Sequence, residues 1–179
     1  LFCCQAYHPG LFALSFSWLV ADLFLRPYLV SNCNYDYMCG SDDSFTPLRY
    51  NLNNRNYYYV TEGEVSIKLI CPKHTKHLHL IKDYENFEFK SAINPWNVQE
   101  EYKNSFDKIT SINRTLKKND IIYIPPYWWY SIKYTDNKSS VISFMYKTYM
   151  NNLAIIPELT MMVLQKLNTK IKIVKKKID

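Results

Sequence analysis

Two short stretches hold most of the residues that could do chemistry. In TPLRYN, Thr46 to Asn51, Arg49 and Asn51 stand two residues apart, so on an extended strand they share a face. In IPPYWWYSI, Ile124 to Ile132, Tyr130 follows a pair of tryptophans. Arginine carries five donors, no acceptor and a permanent charge, so Arg49 repels a cation and suits a carboxylate or phosphate. Asn51 offers a neutral carbonyl oxygen, and Tyr130 ionises only near its reference pKa of about 10. A third stretch, KHTKHLHL, contains His74, His77 and His79. It could take zinc or nickel, but it has no clear carboxylate or thiolate partner, and an exposed strand or loop is the better reading.

These stretches carry a family likeness. YMCGSDDSFTPLRYN, Tyr37 to Asn51, resembles the first metal-binding segment of the cupin-like JmjC hydroxylases. Those are iron and 2-oxoglutarate enzymes built on a double-stranded β-helix. LKKNDIIYIPPYWWYSI, Leu116 to Ile132, resembles their late segment, and the likeness spans about Tyr37 to Met150. The family's facial triad of two histidines and a carboxylate suits non-haem iron. Its matching positions here are Arg49, Asn51 and Tyr130, so the resemblance implies a barrel whose metal ligands are replaced. Thr46 matches a hydrogen-bond donor to the cosubstrate and is retained. Val65 stands where a lysine would pair with 2-oxoglutarate, and Lys68, at odd spacing from it, should face the other side of the strand.

TPLRYN, INPW and IPPYWWYSIKY look closest to cupin-like proteins of large DNA viruses, in which the histidines are likewise replaced. The implied protein uses no metal and no cofactor. It is a structural or interaction protein with protein partners, extended by analogy to a component of a virus particle. The alternatives are an iron and 2-oxoglutarate oxygenase with an unconventional site, and a small-anion-binding module. With the family fold, Arg49, Asn51, Thr46 and Tyr130 converge. Arg49 is then either satisfied internally, by Tyr130, Asn51 and main-chain carbonyls, or it captures a small carboxylate or phosphate.

The elements that must position these residues read as mainly β, a jelly-roll barrel flanked by helices. Tyr57 to Thr61 and Val65 to Ile70 are β-rich runs joined by Glu62-Gly63, which predicts a tight hairpin. Ile121 to Ile124 and Tyr130 to Tyr134 flank the Pro-Pro turn as a second hairpin, and Val141 to Tyr146 reads as a closing strand. KDYENFEFKSAINPW reads as an insertion before the last strands. Pro157 to Leu167 is predicted helical, with Leu159, Met162, Val163 and Lys166 on one stripe.

The ends differ in character from the barrel at 32–150. Leu1 to Ala21 lacks any Asp, Glu, Lys or Arg. Leu14, Trp18, Ala21, Phe24 and Leu25 recur at helical spacing, so residues 1–31 read as a helix packed on the barrel. A membrane anchor or a signal remnant is the alternative. Arg26-Pro27 should end the helix. Residues 151–179 add a helix and a lysine-rich tail. No methionine opens the chain, as expected of a processed product or a fragment.

At 179 residues the chain has the length of one domain, with no repeat, linker or second domain in its pattern. The formal net charge of +6 owes much to the tail, so nucleic acid is not the expected partner. The tyrosines Tyr57, Tyr58, Tyr59, Tyr127 and Tyr134 could stack bases if exposed, but about half should face a core. Five cysteines without a C-x-x-C pair suggest free, mostly buried thiols in a reducing compartment, such as a virion or host cytoplasm.

Overall fold

Alternating burial along the chain builds two antiparallel sheets in the computed structural model, which describes residues 22–171. One sheet runs β1 (Val30–Gly40), β10 (Ser139–Thr148), β3 (Arg55–Glu62) and β8 (Ile121–Ile124) in spatial order. The other runs β5 (Leu80–Asp83), β6 (Glu88–Ser91), β2 (Arg49–Tyr50), β9 (Trp129–Tyr134), β4 (Glu64–Ile70) and β7 (Ser111–Lys117). Between them lies a core that includes Tyr58, Val60, Val65, Ile67, Ile132, Tyr134 and Val141. This is the jelly-roll class expected from the sequence.

The two expected hairpins are not hairpins. β3 and β4 lie in different sheets, as do β8 and β9. Each turn signal marks a corner where the chain crosses from one layer to the other. Gly63, at φ 70°, makes the first corner. A Cβ there would lie 2.6 Å from Ser139 Oγ and 2.9 Å from Ser139 Cα, so both the backbone conformation and the space call for glycine.

The six-stranded sheet is apolar on both faces. Trp129 and Ile70 point away from the barrel interior and pack with Leu48, Leu78 and Ile93. The segment read as an insertion supplies β5 and β6, which extend the sheet beyond β2. The helices α1 (Lys103–Phe106), α2 (Tyr149–Ala154) and α3 (Ile156–Ile171) lie outside the sheets. The contact face of α3 is rotated from the expected stripe. Leu159 and Met161 pack beside Ile155 on Leu52, Tyr84 and Phe89, while Gln165 is buried. Val163 and Lys166 are exposed.

Residues 22–25 form a helical turn that stops before Pro27, as expected. Of the apolar stripe, Phe24 is 84% exposed and Leu25 is half-buried. Asp22 anchors the turn instead. Its carboxylate accepts hydrogen bonds from Tyr146 (2.6 Å), Tyr35 (2.7 Å) and Arg26 (2.7 Å). Leu14, Trp18 and Ala21 lie outside the described residues. Among the described residues no helix is long and apolar enough to cross a membrane.

Burial alone would raise the Asp22 pKa, but the hydrogen bonds from Tyr146, Tyr35 and Arg26 hold it below the ordinary 3.8. A depressed folded value means the carboxylate stabilises the fold above the ordinary value, and that contribution fades as pH falls through the folded one. Asp22→Asn is therefore expected to lower the melting temperature at neutral pH, with the deficit shrinking below pH 3.8. Gly63→Ala should cost more than about 1 kcal/mol in chemical denaturation.

Candidate functional site

The pairing of β2 with β9 sets the site. Arg49 lies opposite Tyr130, and Tyr50 opposite Trp129. Directly opposed residues share a face, so Arg49 and Tyr130 turn together toward the interior. Tyr50 and Trp129 turn outward, where their rings meet edge to face at 4.8 Å. Asn51, two positions beyond Arg49, comes back to the inner side. The strand is held in place upstream by residues 43–46, which run along β9: Thr46 N–H donates to the Ile132 carbonyl at 2.8 Å. The Phe45–Lys133 and Arg49–Tyr130 pairs are out of register by one residue, which places a bulge around Pro47.

Inside, Asn51 and Tyr130 are linked through hydroxyls. Tyr58, which is fully buried on β3, donates to the Tyr130 hydroxyl at 2.6 Å. Asn51 Nδ2 points at the same two oxygens, 3.1 Å from Tyr130 and 3.3 Å from Tyr58, and lies 3.6 Å from Met145 Sδ. Burial pushes the Tyr58 pKa well above 10, so this phenol stays protonated.

Arg49 rests mainly on the Tyr130 side chain, one of the internal partners expected for it. Its guanidinium carbon lies 5.6 Å from the Tyr130 ring centroid, a cation–π contact, and Nη2 faces Met38 Sδ at 3.9 Å. Nε is buried without a hydrogen-bond partner. No described hydrogen bond joins it to Asn51 or to a main-chain carbonyl, and none of the described ion pairs includes it. The adjoining Tyr130 phenol, working against burial, raises the Arg49 pKa, so the group remains a cation.

These residues do not fit a metal ion. Arg49 has no lone pair to give. Asn51 presents its amide N–H groups to the phenols, and Tyr130 Oη already accepts from Tyr58 and Asn51. Among the described residues, no group of three or more His, Cys, Asp or Glu could hold one either.

The flanking positions are occupied by structural bonds. Thr46 Oγ1 accepts from the Ile132 N–H at 2.9 Å, and its carbonyl accepts from Ser131 Oγ at 2.6 Å. The hydroxyl is thus committed to the β9 main chain and makes no described bond to Arg49, Asn51 or Tyr130. Val65 is buried in the same cluster as Tyr130. Lys68 faces the other side, as its odd spacing requires, donating to the Pro95 carbonyl at 2.6 Å over the Trp96 ring.

The histidine stretch is not extended. Pro72–His77 forms a 3-10 helix, and His79 lies beyond it at φ 47°. Of the described thiols, Cys39 is exposed and Cys33 and Cys71 are half-buried, a correction to the expectation of buried cysteines. Tyr58 and Tyr134 are buried and unable to stack on bases. Tyr58, Met38 and Met145 belong to the site and were not singled out for it. The alternation in NYYYV, which puts the middle tyrosine inward, was the available signal for Tyr58.

A two-sheet antiparallel barrel with an inward constellation at β2 and β9 defines the class as a cupin-type barrel. The chain belongs to the family described as the cupin-like domain, whose model matches residues 25–152. A comparison with curated proteins gives no significant match. Among solved structures, the chain is similar to the Drosophila melanogaster CENP-C cupin domain, with 14% identity and a TM-score of 0.38 over 63% of this chain and 59% of that one. It is also similar to oxalate oxidase in complex with the substrate analogue glycolate, with 6% identity and a TM-score of 0.42 over 65% and 42% of the respective chains. A third likeness is hydroquinone 1,2-dioxygenase from Sphingomonas sp. TTNP3, with 7% identity and a TM-score of 0.42 over 68% and 67%.

Tyr130→Phe removes the acceptor shared by Tyr58 and Asn51 and should cost about 1–3 kcal/mol in denaturant unfolding. Arg49→Met keeps the volume while removing a buried charge that lacks an anionic partner. It should leave the melting temperature unchanged or raise it, whereas Arg49→Ala opens a hole and lowers it. A large loss in Arg49→Met would mean that the charge itself holds the barrel together.

Proposed function

We propose that this chain is a metal-free cupin-like barrel that works by binding, as a structural or interaction protein. One observation carries the reading. The positions that would hold a metal in the JmjC-like pattern are filled by Arg49, Asn51 and Tyr130, and Asn51 and Tyr130 bond to each other and to Tyr58. A cation over a phenol ring and a hydroxyl–amide cluster offer no open coordination position and no electron-rich ligand set.

The exposed surface supports the same reading. Leu23, Phe24, Tyr28 and Leu29 are each at least 73% exposed. Tyr149, Met150 and Leu153 of α2 are also exposed, and the Tyr149 N–H donates to the Leu29 carbonyl, which brings the two groups side by side. Contiguous exposed apolar surface of this kind marks contact sites. The motif likeness to cupin-like proteins of large DNA viruses extends the proposal to a component of a virus particle. In this arrangement the barrel, read as residues 32–150, is the rigid body, with the segments on either side as attachment elements.

Purified chain supplied anaerobically with iron(II), ascorbate and 2-oxoglutarate, then exposed to air, is expected to form no succinate above a protein-free control. Succinate formation abolished by Tyr130→Phe would overturn the reading. Cross-linking mass spectrometry on the native assembly should place partner contacts at 22–29 and 149–153.

A further inference from the structure

A cavity of about 350 Å³ opens beside Asn51, and Arg49 is not part of its wall. Its wall takes Asn34 from β1, Asn51 and Asn53 from the stretch after β2, Lys147 from β10, and the rings of Tyr50, Phe87 and Phe89. Met162 of α3 closes one edge. The volume lies in the range of small-ligand sites.

Three side chains make this more than a gap in packing. Asn53 is only 8% exposed, yet no described hydrogen bond uses its side-chain amide. The amide is therefore free to bond to solvent or to a molecule in the cavity. Lys147 is half-buried with no described carboxylate partner; its ammonium lies 5.4 Å from the Phe87 ring centroid. Burial lowers its pKa, the mark of an ammonium short of compensating charge. Asn51 has its Nδ2 engaged by the barrel phenols, and its carbonyl oxygen makes no described hydrogen bond. Glu158 is near enough to act on the Tyr50 phenol, but it is not part of the cavity wall.

We infer that this cavity binds a small hydroxylated anion of monosaccharide size, with Lys147 taking the carboxylate or phosphate and the asparagine amides reading the hydroxyls. An amide supplies both a donor and an acceptor, which matches a hydroxyl that is itself both. Tyr50 and Phe87 in the wall offer aromatic surface that suits the C–H groups of a polyol. The anion expected of Arg49 on sequence grounds is thus assigned to Lys147, since Arg49 does not line the cavity. The inference goes beyond the binding role proposed above and does not depend on the exposed apolar surface.

Isothermal titration and thermal-shift measurements on the full chain test it, using gluconate, glucose 6-phosphate, glucose and inorganic phosphate as probes. Gluconate or glucose 6-phosphate should bind and raise the melting temperature, at least tenfold more tightly than glucose or inorganic phosphate. Lys147→Met keeps the stem packed on Phe87 and should weaken that binding at least tenfold. Asn53→Asp puts a negative charge into the cavity at constant size and should abolish it. Absence of binding by both gluconate and glucose 6-phosphate overturns the inference, as does binding that survives both substitutions. Inorganic phosphate binding as tightly as glucose 6-phosphate overturns the role of the asparagines. Neither result bears on succinate formation or on partner contacts at 22–29, so the two proposals fail separately.

Discussion

The antiparallel pairing of a two-residue strand, Arg49–Tyr50, with Trp129–Tyr130 is the constraint on which the rest depends. It turns Arg49 and Tyr130 inward together and sends Tyr50 and Trp129 outward into a second core. From the inward side follow the phenol pair with Tyr58 and the amide of Asn51 that joins it. From the outward side follow the stacking of Tyr50 on Phe89 and the covering of the six-stranded sheet by the segment after β4. A slip of β2 by one residue would exchange its two faces, placing a guanidinium beside Ile70, Leu78 and Trp129 and the Tyr50 ring against the phenols. The bulge around Pro47 and the Thr46 bonds to β9 guard against that slip.

A cation enclosed without a carboxylate is an unusual way to fill a barrel. Its cost is limited here by the Tyr130 ring face and the polarizable sulfur of Met38, which solvate charge weakly but at short range. The same arrangement separates two functions that a metal centre would combine. The interior is committed to structure, while the polar capacity left over, at Asn51, Asn53 and Lys147, faces the cavity beside it.

Much of this was legible in the chain. The jelly-roll class, the presence of turns at Glu62-Gly63 and Pro125-Pro126, the shared face of Arg49 and Asn51, and the opposite face of Lys68 all rest on period-two alternation and turn chemistry. What failed was information that is not local. A turn signal does not say whether the next strand stays in the same sheet, so two sheet-crossing corners read as hairpins. The stripe on α3 was misplaced because Gln165, a polar residue, is buried and Val163 is not. Phe24 read as core by its spacing, but hydrogen bonds at Asp22 set the orientation of that turn. The cavity could not be read at all, because its residues come from β1, β10, the stretch after β2, the loop before β6 and α3.

The central claim is that three side chains stand where a metal would sit and exclude it by their chemistry, on an intact barrel. Anaerobic equilibrium dialysis against iron(II), comparing the native chain with the combined variant Arg49→His, Asn51→Asp and Tyr130→His, tests this directly. The account predicts no stoichiometric iron on the native chain and about one iron per chain on the folded variant, as three ligands on one face allow. Stoichiometric iron on the native chain, or none on a folded variant, would contradict it.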